Sequence, residues 1–242
     1  MSSEGVVLTS EARQTLDGTL LVRHRLEEQY ADLEQQHETA AFGMWVFLAT
    51  EVMFFGVLFL GVEAYHYMYP EAFEAASEKL NWVIGGINTL VLLLSSLTAV
   101  LAVHYSKLGD RRRVMICLGV TALLGVVFLC FKGLEYYDDY VDKLIPGWSF
   151  DDSEWVREEG LKPVQVPHVK LFLLFYWIMT GLHGLHVIIG IVAMLVMLEL
   201  ARRKHFSPTY YSPIDVTALY WHFVDIVWIF LLPTLYLMGT HK

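Results

Sequence analysis

Five long apolar segments dominate this chain and restrict its fold more than any other feature. They run at about 40–62, 82–105, 114–134, 169–198 and 216–238. A helix needs roughly 20 residues to cross a hydrocarbon core of about 30 Å, so each segment is long enough to span a membrane once. The chain therefore reads as all-α: a polytopic membrane protein whose 39–242 portion is a bundle of five transmembrane helices, with a polar tail over 1–38. The fourth segment exceeds one crossing and is expected to tilt or to project from the bilayer.

The composition agrees, with 55% hydrophobic residues against 18% charged, well away from an ordinary soluble domain. The formal charge of −9 excludes the basic surface that a nucleic acid would select. Cys117 and Cys130 fall in one segment. At about 1.5 Å of rise per residue they lie roughly 20 Å apart, too far for a disulfide. Residues 1–38 hold no apolar core of signal-peptide type, so the first span is expected to direct its own insertion. In that tail Leu26, Tyr30 and Leu33 fall at helical spacing and suit one short surface helix. Two broken spans in matching positions, the mark of many secondary transporters, are not visible.

Loop charges set the orientation. The second and third spans are joined through Lys107, Arg111, Arg112 and Arg113, and the fourth and fifth through Arg202, Arg203 and Lys204. The opposite loops hold fewer cations, diluted in the longer one by acidic residues. Positive charge collects on the cytoplasmic side. The N-terminus is therefore expected in the cytoplasm and the C-terminus on the periplasmic side.

Ionisable residues inside the spans carry the functional signal. Glu51 stands at the centre of the first span, where a carboxylate costs a few kcal/mol and persists only with a partner or a task. The fourth span carries Thr180-Gly-Leu-His-Gly-Leu-His186, with His183 and His186 on one face and Gly181 and Gly184 thinning the helix beside them. The fifth carries Trp221-His-Phe-Val-Asp-Ile-Val-Trp228, where His222 and Asp225 share a face. Asp225 there suits a partner that fixes the His222 tautomer or forms an ion pair with it. In the second span Gly85, Asn88, Ser95, Ser96 and Ala99 gather on one side, a surface for close helix packing.

Imidazoles on two helices raise a metal site. Only three of the ten histidines lie deep in spans, however, and Asp225 reads as a companion to His222, so no metal ligand is assigned. Counted from the cytoplasmic ends, Glu51, His186 and Asp225 reach a similar depth of roughly 15–20 Å. The reading is one buried polar, proton-active cluster of Glu51, His183, His186, His222 and Asp225, with Glu51 paired to a histidine of the fourth span. No catalytic residue is assigned.

These residues carry a family resemblance. Phe42-Gly-Met-Trp45, Glu51-Val-Met-Phe-Phe55, Asn88-Thr89 with Ser95-Ser96, Glu135-Tyr136, Thr180 to Val187 and Tyr220 to Trp228 together resemble subunit III of the heme-copper respiratory oxidases, most closely its cytochrome c oxidase branch. The resemblance covers the chain from about residue 38 onward. It implies a short, five-helix bacterial form that lacks the first two of the usual seven helices. It further implies a non-catalytic subunit of a proton-pumping cytochrome c oxidase in the bacterial inner membrane, with no redox centre of its own. Haem and copper are then expected in partner subunits, with subunit I as direct neighbour, subunit II nearby, cytochrome c met only indirectly, and phospholipid bound. In that family the subunit supports proton uptake, retains lipid and prolongs activity.

Departures from the family pattern accompany the resemblance. With two helices absent, the lipid cleft has lost one wall. The last loop reads His205-Phe-Ser-Pro-Thr-Tyr-Tyr211, with tyrosines where relatives often have histidine. Lipid contacts are assigned instead to Arg202, Arg203 and Lys204, which suit phosphates at the membrane surface, and to His183. Lys132, in place of a neutral polar residue near the outer end of the third span, is expected to snorkel outward. Two other positions in respiration remain open, subunit III of a quinol oxidase and an accessory protein of nitric oxide reductase. Different classes of function, an autonomous proton channel and a histidine-dependent membrane metalloenzyme, are the remaining alternatives.

Overall fold

The computed structural model describes residues 30, 32–146, 150, 152–157, 162–203, 206 and 210–239. It contains seven helices among the described residues: α1 (Leu33–Met68), α2 (Pro70–Glu78), α3 (Trp82–Lys107), α4 (Arg111–Val141), α5 (Asp152–Arg157), α6 (Val166–Arg202) and α7 (Ser212–Tyr236). Five of them, α1, α3, α4, α6 and α7, are long and apolar enough to cross a membrane. In hydrocarbon every backbone amide must be satisfied within its own segment, which leaves the helix as the form such stretches adopt.

The boundaries differ from those expected. α1 begins inside the stretch read as tail, α4 runs on to Val141 and α6 reaches from Val166 to Arg202, whereas α7 stops at Tyr236. Hydropathy marks where a segment suits lipid, but the helices continue past it until a cap or a tight turn ends them. Asp32 accepts from Gln35 N at 2.7 Å at the start of α1. Asn81 accepts from Val83 N and Ile84 N, and Asp110 from Arg113 N, where α3 and α4 begin. Pro70, Pro167 and Pro213 stand in the first turns of α2, α6 and α7, where a missing N–H costs nothing. Gly109, at φ 75°, turns the chain sharply from α3 into α4. The short helices α2 and α5 were not expected from hydropathy. Leu26, from the suggested surface helix, lies outside the described residues, and Leu33 opens α1 instead.

α7 is the centre of the bundle, in contact with α1, α2, α3 and α6, while α4 packs across α3 and α6. Trp221 and Trp228 of α7 are fully buried, together with Phe128 of α4 and Phe172, Leu173 and Tyr176 of α6. α2 folds back over α6, burying Ala72, Phe73 and Ala76, and Ser77 donates to the Leu235 carbonyl at 2.9 Å. The outer faces carry large exposed apolar side chains, among them Trp45, Val57 and Leu60 of α1 and Leu90 and Leu97 of α3. That distribution suits a surface immersed in lipid or covered by another membrane subunit.

Close approach depends on Gly85, as the small-residue face of the second span suggested, and on two glycines that the sequence did not single out. A Cβ on Gly181 or Gly184 would meet nothing within 4 Å, whereas one on Gly190 or Gly125 would meet the Trp221 ring at 2.7 Å. On α3, a Cβ at Gly85 would meet Leu232 at 2.7 Å. Inside the spans the tight contacts are made at Gly85, Gly125 and Gly190, against Leu232 and the Trp221 indole, and not at the two glycines that flank His183.

Candidate functional site

Ionisable side chains inside the bundle form three separate groups. In the first, Glu51 of α1 and His186 of α6 face each other, with Oε2 and Nε2 3.2 Å apart and both side chains largely buried. His186 Nδ1 lies 2.8 Å from the Leu182 carbonyl one turn earlier. A carbonyl only accepts, so Nδ1 carries a proton there. A hydrogen bond at Nε2 then requires one more proton, held by the imidazole or by the Glu51 carboxyl. The pair is thus built to hold a proton between two helices. Phe55 lies edge-on to the imidazole at 5.4 Å, and Tyr220 donates to the His186 carbonyl at 3.1 Å.

The second group lies between α3 and α7. His222 Nδ1 is 2.6 Å from Ser96 Oγ, so the expected His222–Asp225 pair is not formed. Three residues apart on one helix, the two side chains project side by side, and the facing hydroxyl of α3 takes the ring nitrogen instead. Asp225 is 3% exposed, and neither of its oxygens has a hydrogen-bond partner among the described residues. The adjacent indoles are held by α3: Trp221 Nε1 donates to Ser95 Oγ at 2.9 Å and Trp228 Nε1 to Thr89 Oγ1 at 3.1 Å. Asn88 is fully buried with its amide unpartnered among the described residues.

His183 stands apart from both. It is 1% exposed, lies between the rings of Phe128 and Trp228 at 5.6 and 5.1 Å, and has no partner at either nitrogen among the described residues. Buried in this way, it does not reach the chain's surface, and the expectation that it touches lipid is corrected.

The third group was missed in the sequence. Lys132 does not snorkel. It is 5% exposed, with Nζ 3.2 Å from Glu135 Oε2 and hydrogen bonds to Tyr236 at 2.8 Å and Tyr176 at 3.3 Å. Four aromatic rings, those of Tyr136, Tyr176, Trp228 and Tyr236, stand within 4.9–5.5 Å of the ammonium, positions that favour a cation. The Tyr176 hydroxyl lies 2.7 Å from Asp139 and 3.0 Å from Glu135, donating to one at a time, and Tyr236 donates to Glu135. Glu135 and Asp139 also border a cavity of about 250 Å³ with Lys79, Asn81, Asp138 and Asp142. The signal that could have found this group is the spacing of Lys132, Glu135 and Asp139, which places them on one face of α4.

At the basic end, Arg111 Nε donates to the Ala201 carbonyl at 2.7 Å, and its guanidinium also meets the Arg202 carbonyl. A cation at the last carbonyls of α6 complements the helix dipole. Arg202 and Arg203 are exposed and both pair with Glu199, at 3.1 and 2.8 Å. Lys204 lies outside the described residues. Among the described residues no three His, Cys, Asp or Glu side chains are grouped as metal ligands would be.

Fold and site together define a multi-pass helical membrane protein with acid–base groups held between its helices. Residues 170–240 match the family model for cytochrome c oxidase subunit III. Over 200 residues the chain is 30% identical to cytochrome c oxidase subunit 3 of Alkalihalophilus pseudofirmus, covering 81% of this chain and 85% of that one. It is 32% identical to quinol oxidase subunit 3 of Bacillus spizizenii over 218 residues, 86% of this chain and 93% of the other. With cytochrome c oxidase subunit 3 of Gadus morhua it shares 32% identity over 82% of its length and 69% of the relative's. The chain belongs to the subunit III family of the heme-copper oxidases.

Proposed function

We propose that this chain is the non-catalytic subunit III of a proton-pumping cytochrome c oxidase in a bacterial inner membrane. In this reading it lies against subunit I, supports proton uptake there and helps to retain lipid. The observation that supports it most directly, given the family, is the Glu51–His186 pair, two acid–base groups held at 3.2 Å by separate helices. Such a pair shares one proton between two helices, a property suited to a proton-handling flank. Arg202 and Arg203, exposed at the basic end, offer positive charge to phospholipid headgroups, and haem and copper belong to the partner subunits.

Removing the chain from the assembled oxidase tests this reading. The haem spectrum and the initial rate of oxygen reduction are expected to persist, with slower proton delivery at higher pH and progressive inactivation during turnover. Loss of haem, or immediate loss of all turnover in an assembled complex, overturns the assignment.

A quinol oxidase is the second reading, favoured by the 93% coverage of the Bacillus spizizenii quinol oxidase subunit. Oxygen consumption by the purified complex with reduced cytochrome c, compared with a quinol, separates the two.

A further inference from the structure

We propose that Asp225 is a proton-exchanging site that communicates with water through a groove between α3 and α7, with His222 and Ser96 as the relay. This goes beyond the reading above and is independent of which donor the oxidase uses.

The groove opens at the end of the bundle that carries Lys107 and Arg111. It has a volume of about 280 Å³ and is walled by Val100, Val103, Ala218 and Leu219, with His104, Lys107 and Asp215 as its polar groups and His222 in its lining. A water molecule takes up about 30 Å³ of liquid, so several fit. The polar groups near its mouth have other contacts. Asp215 faces His37 at 3.7 Å, and Lys107 lies over the Tyr211 ring at 5.1 Å. Ser96 holds Nδ1 of His222, which leaves Nε2 for water in the groove.

Beyond His222 lies Asp225, one helical turn on. A buried carboxylate with no hydrogen bond is costly in such surroundings, so the neutral acid is the form that fits. The Ser96 hydroxyl, which holds His222 at 2.6 Å, also interacts with Asp225 but stops short of a hydrogen bond to it, so it has to turn from one to the other. A hydroxyl that rotates between an imidazole and a carboxyl is a proton relay. A proton arriving from water on His222 Nε2 releases the Nδ1 proton to Ser96 Oγ, and the hydroxyl's own proton passes to Asp225. The imidazole ends neutral with its tautomer exchanged, and the carboxylate ends as the acid. The reverse sequence returns the proton to the groove.

The relay ends at Asp225. Trp221 and Trp228, the flanking residues on its own helix, are fully buried, Val224 is 1% exposed, and Phe128 packs edge-on against Trp228 at 4.8 Å. The arrangement stores and exchanges a proton from one side and does not conduct it across the membrane.

Infrared spectroscopy of the purified membrane complex tests this directly. The carboxylic C=O band that disappears in Asp225→Asn, or moves in Asp225→Glu, identifies the group. On transfer to D2O that band is expected to shift within seconds, and the shift is expected to slow at least tenfold in Ser96→Ala and in His222→Gln. Ser96→Thr, which keeps the hydroxyl, is expected to restore the fast exchange. Three results overturn the proposal: no acid band from Asp225, an exchange rate unchanged in Ser96→Ala, or slow exchange in the unaltered complex. The last is the result that a lipid chain filling the groove would give.

Discussion

Lys132 Nζ stands 3.2 Å from Glu135 Oε2, with both side chains less than a tenth exposed, and the tyrosines of two further helices close over the pair. One buried ion pair therefore ties α4 to α6 and α7 through Tyr176 and Tyr236. Charges in this setting are tolerated because each has several partners, and that makes the group vulnerable to losing one of them.

Lys132→Met leaves Glu135 buried without its cation. Breaking a buried pair from one side costs about 3–5 kcal/mol, so the thermal midpoint of the detergent-solubilised complex is expected to fall markedly. Adding Glu135→Gln removes the stranded charge and keeps an acceptor for Tyr236 and Tyr176. The double variant is expected to recover most of the loss, and a double variant no more stable than the single one would show that the pair is not the source of the effect.

The contrast between glycines on α6 gives a packing test. A Cβ on Gly190 meets the Trp221 ring at 2.7 Å, whereas one on Gly181 meets nothing within 4 Å. Overpacking a core costs about 1–3 kcal/mol. Gly190→Ala is therefore expected to destabilise the complex, and Gly181→Ala to leave the chain's own stability unchanged or slightly improved. Equal midpoints for the two variants would contradict the packing described here.

Glu51 is expected to tolerate an amide better than truncation. Glu51→Gln retains a side chain that can bond His186, while Glu51→Ala strands the imidazole, at about 1–3 kcal/mol for an unsatisfied buried group. A hydrophobic carbodiimide is expected to modify Glu51 in preference to the loop carboxylates, as peptide mapping of the labelled chain can show. Labelling confined to the loops would refute this.

Orientation follows from charge. A reporter inserted at Gly109, beside Arg111, Arg112 and Arg113, is expected on the cytoplasmic side, and one fused after Lys242 on the periplasmic side. The reverse pattern would sink the charge argument.

The five spans were legible because hydropathy over some 20 residues is a strong, local signal. The depth arithmetic likewise put Glu51 level with His186, the fourth-span histidine it faces, and with Asp225, which it does not meet, since residue count along a helix converts into height and nothing more. Height does not say which faces meet. His222 and Asp225 share a turn, yet Ser96 on another helix takes the imidazole. Lys132 lies near the end of the apolar run, which suggested an exposed ammonium. The helix instead continues to Val141, and tyrosines from α6 and α7 enclose the charge.

The amino-acid sequence by itself determined the class of protein, the number of crossings and the family motifs. Only the tertiary structure decided who partners whom: Glu51 with His186, His222 with Ser96, Lys132 with Glu135 and two tyrosines, and Trp221 with the glycines that make room for it. The physical reason is specific to membranes. The face of a helix that meets lipid is as apolar as the face that meets its neighbours, so the pattern that reveals a buried face in water is nearly erased. The rotation of each helix about its axis is then set by packing and hydrogen bonds with residues distant in the chain, and those exist only once the bundle has formed.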